Sequence, residues 1–248
     1  MSSRKTLALG WQNPPTALID AFQTDGYVKV PQALHCETAT IIKEAIDNQH
    51  SWNLVFNHQG SHQDLNALQV ADWTEQQKKD LVNIVNAQAS DGFQYFYENI
   101  PLYDIYYDNL LPEHFFNTIY EFLNSKETLT FFRELLNEPA ISFVDAQITR
   151  FGPGHFLNVH NDAVANKNRI AAYVINLTHD WRPDWGGALH LLDSEQNIHK
   201  SFLPSFNEIN IFKIPVDHYV GYVSPFASNK RISITGWLRS GENPKEKR

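Results

Sequence analysis

Phe156-Leu157-Asn158-Val159-His160-Asn161-Asp162 ends an apolar, strand-like run on a histidine and an aspartate two residues apart. In an extended chain residues i and i+2 point to the same face, so an imidazole and a carboxylate are aimed at one point while Asn161 looks away. Taken alone, the pair reads as a histidine at a turn and an aspartate capping it. The rest of the chain gives it a second reading. An imidazole suits iron, and two histidines with one carboxylate on one side of an ion leave three coordination positions open. His218 offers a third ligand, 58 residues later (218 minus 160), at the head of another strand-like run, Asp217 to Ser224.

The flanks of these residues indicate the fold class. From Ala140 onward the chain is a series of short runs rich in Ile, Val, Phe and Leu, at 141–151, 156–160, 169–177, 188–192, 201–203, 208–214, 217–224 and 231–238. Turn clusters such as Gly152-Pro153-Gly154, Gly186-Gly187 and Ser228-Asn229 separate them. So many short strands in roughly 100 residues predict a sandwich or jelly roll. Before residue 140, apolar residues recur at helical spacing over 16–24, 37–48, 73–89, 112–123 and 126–137, with a few strands between. The expectation is a mainly β chain with flanking helices (α+β). It would be one domain over 1–248, helix-rich to about 139, with the β core at about 140–240 and a frayed tail at 241–248.

Composition narrows the function. A formal charge of −8 argues against a partner held by neutralised phosphates, so no direct nucleic-acid role is expected. Cys36 is the only cysteine, which excludes an intramolecular disulfide and a multi-cysteine zinc site and fits a reducing cytoplasm. The opening MSSRKTLALGW has too short an apolar stretch for a signal peptide, and no window is apolar for long enough to span a membrane. Oligomeric state is left open.

The run RISITGWL, 231–238, adds a charge where one is expensive. Arg231, Ser233, Thr235 and Trp237 share one face of that strand, and Ile232, Ile234 and Leu238 the other. A buried arginine calls for a counter-charge, and a dicarboxylate held by the guanidinium fork would provide it. The remaining nine of the 11 histidines have no such company. The aromatic run 95–107 is expected mainly to pack helices onto the sheet, with Tyr103, Tyr106 or Tyr107 reaching the mouth of the site.

Together these stretches resemble the Fe(II)- and 2-oxoglutarate-dependent dioxygenases, and within them the prolyl 4-hydroxylase-like branch. The likeness runs through ITRFGPGHFLNVHND (148–162), RIAAYVINLTHDW (169–181), DWGGALHLL (184–192), the His218 segment and RISITGWL, and more weakly through Asp25-Gly26-Tyr27-Val28 and GFQYFYENIPL (92–102). It implies a double-stranded β-helix (a cupin-like jelly roll) with N-terminal helices packed on the sheet. It also implies Fe(II) on His160, Asp162 and His218, 2-oxoglutarate on Arg231 with Ser233 and Asn176 nearby, and O2 as oxidant. Ascorbate is admitted as an accessory reductant. The implied reaction is hydroxylation of a prolyl or similar residue in a peptide or protein, with 2-oxoglutarate decarboxylated to succinate. A free amino acid or other small molecule is the alternative substrate, and a metal-free cupin-like scaffold the alternative class. Two positions depart from the family pattern: Phe151 and Asn176 stand where the prolyl branch often carries tyrosines that help hold 2-oxoglutarate.

Overall fold

The computed structural model describes residues 6–246. Residues 1–5, part of the stretch compared with a signal peptide, and residues 247–248 of the expected frayed tail lie outside the described residues.

The core is a 13-stranded antiparallel sheet that curls on itself. Its centre is β8 (Arg169–Leu177) beside β13 (Arg231–Ser240). On one side follow β11 (Phe206–Lys213) and β1 (Tyr27–Pro31), and on the other β6 (Gln147–Phe151) and β4 (Tyr95–Ile100). The sheet continues through β7 (Phe156–His160), β12 (His218–Val220), β9 (Leu189–Leu192) and β10 (Ile198–Phe202). The hairpin of β2 (Asn53–His58) and β3 (Ser61–Leu65) extends β4, and β5 (Ile141–Val144) pairs with the end of β13.

Alternation along β8 shows why the sheet is covered on both sides. Tyr173, Ile175 and Leu177 pack on one face with Ile209, Ile211, Ile232 and Ile234. Ala172 and Val174 pack on the other with Phe212, against Leu189, Leu191 and Phe202, so the two arms of the curled sheet meet face to face. The first face is roofed by α1 (Thr16–Asp25), α2 (Cys36–Asp47), α5 (Leu102–Tyr107), α6 (Phe115–Leu123) and α7 (Lys126–Leu136). In α7, Leu129, Phe132 and Leu136 recur at helical spacing and are buried. The Ser125 side chain caps its first turn, accepting from the Thr128 N–H, and Asn137 ends it in a left-handed conformation. The short α3 (Ala67–Ala71) precedes α4 (Glu75–Asp91), which opens with a Thr74–Gln77 capping box and packs Val85 against Phe56, Phe96 and Phe156. No helix among the described residues is long and apolar enough to cross a membrane.

Two expectations require correction. The run expected as one strand over 141–151 is two, because Asp145 leaves the ladder. Its Oδ1 accepts from the Trp237 N–H at 2.8 Å and its carbonyl from the Tyr173 hydroxyl at 2.9 Å. Residues 241–246 of the expected frayed tail are docked on α5. Asn243 is buried between the Tyr103 and Tyr107 hydroxyls, at 2.7 and 2.8 Å, and Lys245 reaches Asp104 and Asp108.

Gly236 makes the Asp145 corner possible: a Cβ there would lie 2.0 Å from the Asp145 carbonyl oxygen. Gly236→Ala should therefore push two strands apart and destabilise the fold by about 1–3 kcal/mol, the usual range for overpacking. Chemical denaturation measures this, and an unchanged midpoint would mean that the corner yields freely.

Candidate metal centre

His160 closes β7 and His218 opens β12, and the two are partners in register with ring centroids 4.1 Å apart. Asp162 lies two residues past the end of β7 with φ +61°, a left-handed conformation that aspartate tolerates better than most residues. This turn, rather than strand alternation alone, brings its carboxylate back between the imidazoles. His160 Nε2 is 3.4 Å from Asp162 Oδ1, and His218 Nε2 is 3.4 Å from Oδ2. One ligand atom from each of the three residues lies within 4.8 Å of the others.

The outer contacts orient these groups. Each imidazole Nδ1 meets a backbone carbonyl, Asn158 O at 2.9 Å for His160 and Val216 O at 2.8 Å for His218. A proton on Nδ1 leaves the Nε2 lone pair facing the centre, the tautomer a metal requires. The Trp237 indole Nε1–H donates to Asp162 Oδ2 at 2.8 Å, and the Arg169 guanidinium lies 3.4 Å over the Trp237 ring and donates from Nη1 to the Asp162 carbonyl at 3.0 Å. Burial alone would push the Asp162 carboxyl up, but the His160 and His218 imidazoles beside it outweigh burial and hold the carboxyl well below the usual range. Two imidazole lone pairs and one carboxylate, all on one side of an open space, fit a divalent ion such as iron.

That space is a cavity of about 400 Å³ between the two arms of the sheet, with the triad on one wall and Arg231 on another. Arg231 is paired in register with Phe151, and its guanidinium sits 5.1 Å over the Phe151 ring. It is 3% exposed, its Nε and Nη1 have no hydrogen-bond partner, and burial pulls its pKa down to about 10. An unpaired buried guanidinium is unfavourable by itself and suits a carboxylate that arrives with a ligand.

The structure separates the remaining sequence candidates. Ser233 faces inward but is fully buried behind the wall, its hydroxyl 3.0 Å from that of Thr149. Asn176 lies beside it in the ladder, and its amide reaches only the Val174 and Glu208 carbonyls, each at 3.4 Å. Neither lines the cavity; Thr149, Gln147, Tyr97 and Thr235 do. Tyr103, Tyr106 and Tyr107 also require correction. Pro101 turns the chain into α5 immediately after β4, and the three rings cluster with Tyr120 in the helical layer instead of at the mouth. The rim is made by Phe93, 5.4 Å from the His160 ring, with Tyr95 and the exposed Val164. Strand alternation gave a signal for two of the missed residues: Thr149 stands two before Phe151, and Tyr97 two after Tyr95.

Residues 146–239, from the start of β6 nearly to the end of β13, match the family described as the 2OG-Fe(II) oxygenase superfamily. Prolyl 3-hydroxylase OGFOD1 of Mus musculus is 29% identical over 102 residues, covering 38% of this chain and 18% of the relative. The matched chain thus spans less than a fifth of that protein. Among solved structures, an oxidoreductase of the 2OG-Fe(II) oxygenase family from Burkholderia pseudomallei superimposes with a TM-score of 0.60 at 16% identity, over 96% of this chain and 99% of its own. A prolyl-4-hydroxylase from Pseudomonas putida does so with a TM-score of 0.55 at 16% identity, over 92% and 99%. At these identities the likeness is one of fold, and it places the curled sheet among jelly rolls of the expected type.

Proposed function

We propose, from the premise that this chain belongs to the 2OG-Fe(II) oxygenase superfamily, that it hydroxylates a prolyl or similar residue of a peptide or protein and converts 2-oxoglutarate to succinate and carbon dioxide. One oxygen atom of O2 enters the product hydroxyl and the other the succinate, so the reaction needs no further reductant. The observation that carries the reading is Arg231, which lines the cavity that also holds the triad and whose Nε and Nη1 have no hydrogen-bond partner.

Iron held by His160, Asp162 and His218 would supply oxygen activation for attack on an unactivated C–H bond. The protein's part is binding and orientation. Arg231 neutralises a carboxylate of the cosubstrate, and the Phe151, Val174, Leu189 and Phe212 side chains wall the cavity against water. Trp237 fixes the angle of the Asp162 carboxylate, and Arg169 holds the Asp162 backbone carbonyl. The apolar rim of Phe93 and Val164 suits a ring such as that of proline. The naming of the mouse relative and the Pseudomonas neighbour as prolyl hydroxylases supports the same choice. The lone Cys36 supports a reducing, cytoplasmic setting.

Arg169 favours a second reading. Its Nε is buried without a partner and its side chain borders the cavity beside the triad, where it could receive the carboxylate of a free amino acid as well as a peptide carbonyl. The two are tested together. Fe(II) and 2-oxoglutarate added without oxygen should give a visible charge-transfer band that His160→Ala abolishes. With oxygen, proteins of a lysate should gain 16 Da. A band with a mass gain only in free amino acids would select the second reading. The absence of any band would leave a metal-free scaffold.

A further inference from the structure

The family tyrosines absent at 151 and 176 leave open what positions the cosubstrate besides Arg231. Tyr97 answers this by its place in the cavity. It comes from β4, outside the segment that matches the family, and its ring stacks on Phe151 with centroids 4.8 Å apart and 16° between planes. Phe151 therefore touches both the Arg231 guanidinium and the Tyr97 ring. The Phe151 wall, which has no hydroxyl of its own, is backed by a residue that carries one.

Gln147, from the neighbouring β6, is held next to Tyr97. Asn99 Nδ2 donates to Gln147 Oε1 at 2.9 Å, which holds the Gln147 amide beside Tyr97. Tyr97 lines the cavity, and Gln147 is the side chain that reaches its hydroxyl. Burial pushes the hydroxyl well above its ordinary pKa, so it stays protonated and is a donor throughout the working range. Thr149, the other hydroxyl beside Phe151, is already engaged with Ser233.

We infer that Tyr97 is the cosubstrate-positioning hydroxyl of this protein, donating to a carboxylate oxygen of 2-oxoglutarate from a strand outside the family's matched core. The inference rests on the cosubstrate reading above. Its test is calorimetric titration of 2-oxoglutarate into the Mn(II)-loaded protein under nitrogen, where no turnover occurs. Tyr97→Phe keeps the stacked ring and removes only the hydroxyl. It should raise Kd about tenfold, the order expected when a hydrogen bond to a charged group is lost, with Mn(II) affinity and thermal midpoint unchanged. Adding Phe151→Tyr to Tyr97→Phe should recover most of the loss, which a purely structural role would not allow. Thr235→Val, at the other hydroxyl on the wall, should change Kd less than threefold, roughly within half a hydrogen bond. Equal affinity in Tyr97→Phe and the parent, or a loss confined to Thr235→Val, overturns the assignment and leaves the cosubstrate reading standing. A parent protein that does not bind 2-oxoglutarate overturns both.

Discussion

Arg231→Met should make the ligand-free protein more stable while removing its affinity for 2-oxoglutarate. Both effects come from the same isolated charge. The guanidinium is 3% exposed, two of its nitrogens have no partner, and its pKa has fallen to about 10 through burial. Replacing buried ion pairs with apolar residues of similar volume is often neutral or stabilising by about 1–4 kcal/mol, and an unpaired charge lacks even the pair's mutual attraction. A carboxylate entering the altered cavity would be the uncompensated group instead, at about 3–5 kcal/mol, or more than a hundredfold in Kd. Mn(II) affinity should not change, since Arg231 stands apart from the triad. Differential scanning fluorimetry and calorimetric titration give the two values. Undiminished 2-oxoglutarate affinity would show that the carboxylate is held elsewhere, and a lower melting temperature would show that Arg231 is already balanced in the free protein.

The second large effect concerns Asp162→Ala. Its carboxylate is the only anionic member of the triad, and it keeps apart two imidazoles whose lone pairs converge. Losing an outer partner of a metal ligand typically lowers affinity 10–100-fold, and losing the ligand itself should exceed that. Mn(II) titration followed by electron paramagnetic resonance should detect no tight site in Asp162→Ala. Tight binding retained with His160 and His218 alone would remove the facial arrangement and the proposed chemistry with it.

The sequence showed the parts of the molecule governed by simple periods. β7, β8 and the start of β13 fall where alternation predicted, because β8 and β13 are buried on both faces and read as nearly continuous apolar runs. His160, Asp162 and His218 were legible from spacing and residue type. The Asp145 break was not, since it depends on one glycine 91 positions away (236 minus 145) that admits a carbonyl. α5 was obscured by its aromatic content, which mixes strand preference with helical packing. Tyr97 was legible only in part: alternation puts it on the face of Tyr95, but its role depends on Phe151 and Gln147 arriving from another strand.

The backbone twist at Asp162 narrows what mutation can do at that position. A glutamate would keep the negative charge, but its longer arm and poorer tolerance of φ +61° would misplace the oxygen; an asparagine would keep the turn and surrender the charge; a glycine would relax the chain and supply no ligand. No single exchange among these preserves both bend and anion, so evolutionary drift at residue 162 is closed to a lineage that needs the ion, whatever latitude the cavity rim enjoys.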